Sequence, residues 1–305
     1  MIRLFLFLVP LLLSVLILEC ALRNIPNDYG YKDSYLKDNA KDIEVLVLGS
    51  SHAYRGIIAE NLSFNSFNVA YISQSLDLDV GLFEKYKQQL DNLKCLVINI
   101  SYPSLFGKLS ASKEDWRLKN YNIYYDFNET SNPKNYSEVL SNTFDVNKTK
   151  IEEYYVKHKQ SVSCTKYGDG YIESRKERAN SAKFAAIRHT NLASPYFKAH
   201  KESIKALINY TAQKGIQVVI TTPPARVDYR SLLDSKQLLL METFLDSITN
   251  NSTTVFRLNS LKSGLFVKGD FLDADHLNKS GAIKFTEQLN KLLNQIEHRT
   301  KESIQ

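Results

Sequence analysis

The sequence predicts an α/β domain built on a doubly wound parallel sheet, and three observations point there. Short unbroken apolar runs recur along the chain, as expected of strands covered on both faces. Segments with helical spacing of apolar residues separate them, so the strands are joined by right-handed crossovers. Finally, 305 residues with 43% hydrophobic content suffice to bury a full core. The length favours one large domain carrying an insertion over two equal ones.

Taken in order, Leu4 to Leu18 is almost entirely apolar, and Arg3 and Arg23 bracket a segment close to the ~20 residues that span a bilayer. A transmembrane anchor over 1–23 is expected. A cleaved signal peptide is the alternative, but Glu19 and Cys20 stand where its small-residue cleavage site belongs. A buried core helix fits less well, because the segment is apolar all round rather than striped. Glu19 also argues against lipidation of Cys20. Residues 24–42 carry Pro26, Gly30 and many charges and read as a stem.

The body, 43–298, then alternates. Expected strands are Ile43 to Leu48, Phe67 to Ile72, Cys95 to Ile100, Ile216 to Thr222 and Thr253 to Leu258. Expected helices are Leu76 to Leu93, Ala199 to Lys214, Ser231 to Ile248 and Lys279 to Ile296, with Gly215 as a stop after the second. The pattern is flavodoxin-like. One stretch breaks it: 102–191 is far longer than a normal connection and rich in aromatics, among them Trp116, Tyr121, Tyr124, Tyr125, Phe127, Tyr154, Tyr155, Tyr167 and Tyr171. It reads as an inserted cap. Its rings can pack a small subdomain, or present stacking faces to sugars.

A net charge of +6 spread without blocks of like charge points to acidic surroundings such as a membrane face or an anionic glycan, and no nucleic-acid motif accompanies it. Three scattered cysteines, Cys20, Cys95 and Cys164, make neither a disulfide framework nor a zinc site; at most Cys95 and Cys164 pair. No cofactor is indicated.

Two short stretches carry chemistry. The first strand ends in Gly49-Ser50-Ser51-His52, where Gly49 permits a tight turn and leaves the Ser51 hydroxyl beyond the carboxyl end of the strand, the edge at which open α/β sheets hold their sites. Taken alone, Gly-Ser-Ser is ordinary turn chemistry. Far downstream stands Asp273-Ala274-Asp275-His276. A serine hydroxyl is a weak nucleophile until a base takes its proton, and the base needs an acid to hold its tautomer. Asp273 and His276 lie close enough in sequence to face one pocket, though the same stretch also suits a solvated loop capping the last helix. His52, adjoining Ser51, suits a structural or substrate-binding role better than that of base. His158, His189, His200 and His298 have no motif context. As metal ligands, Asp270, Asp273, Asp275 and His276 form the alternative, ranked below the triad because no second acidic or histidine cluster is evident.

With these residues the chain resembles the SGNH (GDSL-like) hydrolase superfamily over about 43–297. Gly49-Ser50-Ser51 stands where that family has its first block, with Ser51 matching the nucleophile, and Asp273-Ala274-Asp275-His276 matches its last Asp-x-x-His block. Ser50 replaces the more usual Asp, as in the branch of exported polysaccharide and teichoic-acid acylation proteins whose first block is Gly-Ser-Ser. Ser73, in the second block, replaces a glycine whose amide contributes to the oxyanion hole. The third block departs most: Ser101-Tyr102-Pro103-Ser104 follows the third strand, Pro103 falls near the expected Asn, and Asn99 inside the strand is a poor substitute.

The resemblance implies a membrane-anchored serine esterase or O-acyltransferase, with N-terminus inside and body outside the cytoplasmic membrane, acting on carbohydrate or a cell-envelope polymer. Ser51 would attack an acyl ester, His276 act as base then acid, Asp273 orient it, and the amides of Ser51 and Ser73 hold the oxyanion, with Asn99 and His52 as further binding candidates. Only Asp273 has the family spacing, so Asp275 is expected to matter less. A membrane-bound O-acyltransferase is the implied partner. The competing class is a non-catalytic protein that keeps the fold and binds polysaccharide or such a partner, and the altered third block is what favours it.

Overall fold

The computed structural model describes residues 2–128, 130–174, 176–177, 179–250 and 252–302, with backbone alone over 2–7. In chain order its helices are α1 Ile2–Arg23, α2 Asp28–Asn39, α3 Ser51–Gly56, α4 Leu76–Tyr86, α5 Leu118–Tyr124, α6 Glu138–Ser141, α7 Phe144–Ile151, α8 Ser181–His189, α9 Phe197–Gln213, α10 Val227–Arg230, α11 Ser235–Thr249 and α12 Lys279–Glu302. The strands are β1 Val45–Leu48, β2 Ser66–Asn68, β3 Cys95–Asn99, β4 Gln217–Thr222 and β5 Val255–Asn259. The chain divides into two compact units, 1–37 with 109–163, and 38–108 with 164–305.

In the second unit the strands form one parallel sheet in the order β2-β1-β3-β4-β5. That order is the flavodoxin-like one and puts all strand C-termini at one edge. Val45, Val47, Val97 and Val219 share a buried cluster with Phe285, Leu289, Leu293 and Ile296 of α12. These α12 positions recur every three or four residues, a single apolar stripe, and each stabilises by roughly 1.5–3 kcal/mol on burial. Pairing in register, Leu48 beside Ile98 and Asn99 beside Thr221, aligns the loops that follow β1, β3 and β4.

The first unit differs from the expected stem and cap. Residues 24–42 are not an extended stem: α2 starts under an Asn27 cap, whose Oδ1 accepts from the amides of Tyr29 and Gly30 at 3.1 Å, and it buries Asp28, Lys32 and Asp33. Asp28 accepts from the amide and hydroxyl of Ser163 at 2.6 Å, so its charge has a partner distant in sequence. Only 109–163 of the expected insertion belongs to this unit, while 102–108 and 164–191 belong with the sheet. Tyr29, Tyr121, Tyr125 and Phe127 pack ring against ring, and Tyr29, Tyr121 and Tyr125 are buried. A buried Glu138 pairs with Lys119 at 2.6 Å and Lys150 at 2.8 Å.

Among the described residues no single helix is long and apolar enough to cross a membrane; the bent pair Leu8–Arg23 and Asp28–Asp42, turned by 65°, meets length and composition together. Met1 and the side chains of Ile2 to Phe7, part of the expected anchor, lie outside the described residues. Leu11, Leu12, Leu16 and Ile17 are each more than half exposed. None of the three cysteines is in a disulfide, so Cys95 and Cys164 are not bonded to each other; the Cys95 thiol is buried, which pushes its pKa up to about 12.

Candidate active site

The site is built at the C-terminal edge of the sheet, within the second unit. β1 ends at Leu48, and Gly49 turns the chain with φ 144°, a conformation that excludes most L side chains. A Cβ there would also come within 2.8 Å of Asn99 Cβ and 3.0 Å of Ala53 Cβ, so only glycine fits between β3 and α3. Ser50 follows as the extended N-cap, and Ser51 is the first residue of α3. Its amide is therefore one with no intrahelical acceptor.

The downstream stretch folds into a small loop closed by the bridge Phe271↔Leu277 and by the Leu272 amide donating to the His276 carbonyl at 2.8 Å. This carries His276 to Ser51: Oγ lies 2.8 Å from Nε2. On the other side of the ring, Nδ1 lies 2.9 Å from Asp273 Oδ1, which also accepts from the His276 amide at 2.9 Å. Ser51, His276 and Asp273 are thus in line, with 12% of the His276 side chain exposed for a reacting group to approach. Burial pulls the His276 pKa down, but the charges of Asp275 and Asp273 and their hydrogen bonds outweigh it and hold it up at about 9.

The remaining predicted residues fall out differently. Ser73 sits in the turn after β2 with φ 60°, a left-handed conformation uncommon outside glycine, and so keeps the backbone a glycine would adopt. Its loop is tied to the turn at Gly49 twice: the Tyr71 amide donates to the Gly49 carbonyl at 3.2 Å, and buried Asp79 accepts from both the Gly49 amide at 2.8 Å and Gln74 Nε2 at 2.6 Å. Burial pushes the Asp79 carboxyl up to about 7. Asn99 is not brought to the serine. It is buried in β3 and donates to Thr221 Oγ1 at 2.9 Å, tying β3 to β4.

His52 is buried and stacks on His276, ring centroids 4.6 Å apart and 8° from parallel. Its Nε2 lies 3.2 Å from Asp275 Oδ2 and its Nδ1 3.3 Å from Ser50 Oγ. Asp275, expected to matter less, is 4% exposed, and its Oδ1 lies 3.4 Å from His276 Nδ1. His189, without motif context in the sequence, is 3.7 Å from the same carboxylate through Nδ1, which lies 2.8 Å from Tyr229 OH. A cavity of about 10 Å³, lined in part by His52, Tyr102, Pro224, Tyr229 and Asp275, adjoins this array; it has about the room of one water. A larger cleft of about 360 Å³ is lined by Arg226, Asp228, Arg230, Phe266, Lys268 and Phe271, and meets the histidine loop where the Arg226 amide donates to the Ala274 carbonyl at 3.0 Å. Ser51 is not part of its lining.

His52, Asp275 and His276 bring possible metal-ligand atoms within 4.8 Å of one another. Those atoms are engaged with one another, with Ser51 and with Asp273, and Asp270 of the expected set is engaged with Lys284 and Ser280. The arrangement fits proton transfer at a serine better than ligation.

No family model and no curated protein matches the chain. Solved structures do: a crystal structure of a Bacteroides fragilis protein provisionally described as an acylhydrolase is similar over 87% of this chain and 95% of that one, at 13% identity and a TM-score of 0.41.

Proposed function

We propose that the chain is a serine-dependent acyl-transfer enzyme of the SGNH type, acting through Ser51, His276 and Asp273. The observation that carries this is the unbroken series of contacts from Ser51 Oγ to His276 Nε2 at 2.8 Å and from His276 Nδ1 to Asp273 Oδ1 at 2.9 Å, at the edge where parallel α/β sheets hold their ligands. Ser51 Oγ attacks the acyl carbon as neutral His276 takes its proton; the resulting imidazolium then returns the proton to the leaving alcohol, and an acyl-serine remains. Above the His276 pKa of about 9 the ring is neutral, and Asp273 then holds the tautomer with Nε2 unprotonated and facing the hydroxyl. The amides of Ser51 and Ser73 supply the oxyanion hole. Asp79, bridging their two loops, fixes the spacing between them.

The third-block departure bears on the reaction. Because Asn99 is engaged with Thr221, oxyanion stabilisation rests on backbone donors, and losing one donor of such a set costs ~10²–10³ in rate. Activated acyl donors are then better substrates than simple esters; we further take transfer to a sugar hydroxyl, rather than hydrolysis, as the fate of the acyl-serine. The cleft offers the rings of Phe266 and Phe271 and the positive charge of Arg230 and Lys268 to an extended acceptor, while Arg226 in its wall is paired with Asp228 and Glu177. We place the body outside the cytoplasmic membrane, held there by the apolar stretch of α1, with carbohydrate or an envelope polymer as acceptor and a membrane-bound O-acyltransferase as donor. The same engagement of Asn99 favours the second reading, an SGNH-fold protein that binds polysaccharide or that partner without catalysis.

The test is incubation of full-length protein with p-nitrophenyl acetate and an oligosaccharide. Acetylated sugar should form, slow hydrolysis should compete, and Ser51→Ala should abolish both. Fast hydrolysis undiminished by acceptor, with no acetylated sugar, leaves a plain esterase; no turnover of either kind leaves the binding protein.

A further inference from the structure

The triad as described leaves a buried carboxylate beside it unassigned. Asp275 is 4% exposed, and its ion-pair partners among the described residues are imidazoles: His276 Nδ1 at 3.4 Å on Oδ1, His52 Nε2 at 3.2 Å and His189 Nδ1 at 3.7 Å on Oδ2. A buried charge is costly unless paired and hydrogen-bonded, so these contacts decide whether Asp275 can stay ionised. Two of the three rings are neutral. Burial lowers the pKa of His52, and burial holds His189 down at about 3. An ionised carboxylate only accepts, so His52 presents Nε2–H to Asp275 and leaves Nδ1 to accept from the Ser50 hydroxyl. The remaining ring, His276, is the one that becomes positive when it takes the serine proton.

We propose that Asp275 and His52 are positioning residues for His276, a second carboxylate–imidazole pair that shares with Asp273 the task of orienting the base and balancing its charge. His52 does this twice over: its ring lies flat against His276 at 4.6 Å and fixes the ring plane, while its Nε2–H turns Asp275 so that the other oxygen faces His276 Nδ1. Because His52 directly follows Ser51 on α3, the nucleophile and the wall behind the base move as one piece. The inference rests on the acyl-transfer reading above.

The charged and titratable groups that face His276 are Asp273 and Asp275 on its own loop, His52 from α3 and His189 from α8, the two rings neutral; Tyr229 of α10 and exposed Arg188 act on the array through His189 and Asp275. Of these, the two carboxylates raise the His276 pKa, and Asp275 raises it most. Removing that charge must therefore lower the pH at which His276 becomes a base, whereas a merely structural loss would lower the rate at every pH alike.

The experiment measures the rate of Ser51 labelling by a fluorophosphonate against pH, in full-length wild type, Asp275→Asn, His52→Phe and His52→Gln. Histidine ¹⁵N NMR of the same proteins follows the His276 ring whether or not a variant is active. Wild type should show a midpoint near 9. Asp275→Asn should move both the midpoint and the NMR titration down by about 1–3 units. His52→Phe, which keeps the stack and loses the donor, should label ~10–100-fold more slowly at the plateau, the scale of a misplaced catalytic group, and His52→Gln, which restores the donor without the stack, should recover part of it. An unmoved midpoint in Asp275→Asn, or equal losses in Phe and Gln, overturns the assignment while leaving the triad intact. Absence of Ser51 labelling in wild type at every pH overturns the acyl-transfer reading and this inference with it.

Discussion

Replacing Gly49 by alanine probes the turn on which the site depends. Two costs add. The residue holds φ 144°, where an L side chain is strained by about 1–3 kcal/mol, and its new Cβ would meet Asn99 Cβ at 2.8 Å and Ala53 Cβ at 3.0 Å, an overlap in a packed region worth a further ~1–3 kcal/mol. Neither neighbour gives way easily, since both contacts are at carbons next to the backbone. The sum is about 2–6 kcal/mol. Gly215 is the matched control: its φ is 71° and nothing lies within 4 Å of its missing Cβ, so Gly215→Ala meets the conformational cost alone, ~1–2 kcal/mol. In thermal unfolding of full-length protein in detergent, followed by circular dichroism, Gly49→Ala should lower Tm on the order of 10 °C and Gly215→Ala by less than half of that. The Gly49 variant should also lose Ser51 labelling, because its amide no longer meets Asp79. Equal Tm shifts in the two variants would mean that the packing between Gly49, Asn99 and Ala53 is not what demands a glycine.

Asp79 gives a pH-dependent counterpart. Burial raises its pKa from 3.8 to about 7, so the native state holds the proton more tightly than the unfolded chain; its contribution is intact below about pH 4 and is lost as pH rises towards 7. At ~1.4 kcal/mol per unit the loss approaches ~4 kcal/mol, so Asp79→Asn should match wild type at pH 4 and exceed its stability at pH 8 in denaturant titrations. A variant weakened alike at both pH values would contradict that sign. For the anchor, full-length protein should resist carbonate extraction from membranes, and release into the soluble fraction, or a mature N-terminus after Leu22, would favour a cleaved signal.

The sheet was legible because its strands are short apolar runs with no competing helical period: four of the five expected strands are present within about two residues at either end, while β2 stops at Asn68, four residues short of the expected Ile72, where the chain turns towards Ser73. Ser51, Asp273 and His276 were legible because two of them share a loop and the third follows a strand with a glycine turn. Asp275 and His189 were not: Asp275 lies off the familiar spacing, and His189 reaches it from a helix far off in sequence, so neither shows a local pattern. Asp79 did leave a signal. It stands on the apolar face of α4 with Leu76, Leu82 and Phe83, where an unpaired carboxylate would be costly, and that alone marks it as bonded. The charges of 28–33 read as solvated stem because Ser163, the partner of Asp28, is remote in sequence.

The most direct test of the account is covalent labelling of Ser51. Full-length protein treated with a fluorophosphonate above pH 9, digested and sequenced by mass spectrometry should carry the adduct on Ser51. Labelling should vanish in Ser51→Ala, fall strongly in His276→Ala and fall in Asp273→Asn with the fold retained. Labelling of His276→Ala at the wild-type rate, or an adduct on any other serine with Ser51 unmodified, would contradict the claim that His276 and Asp273 activate Ser51.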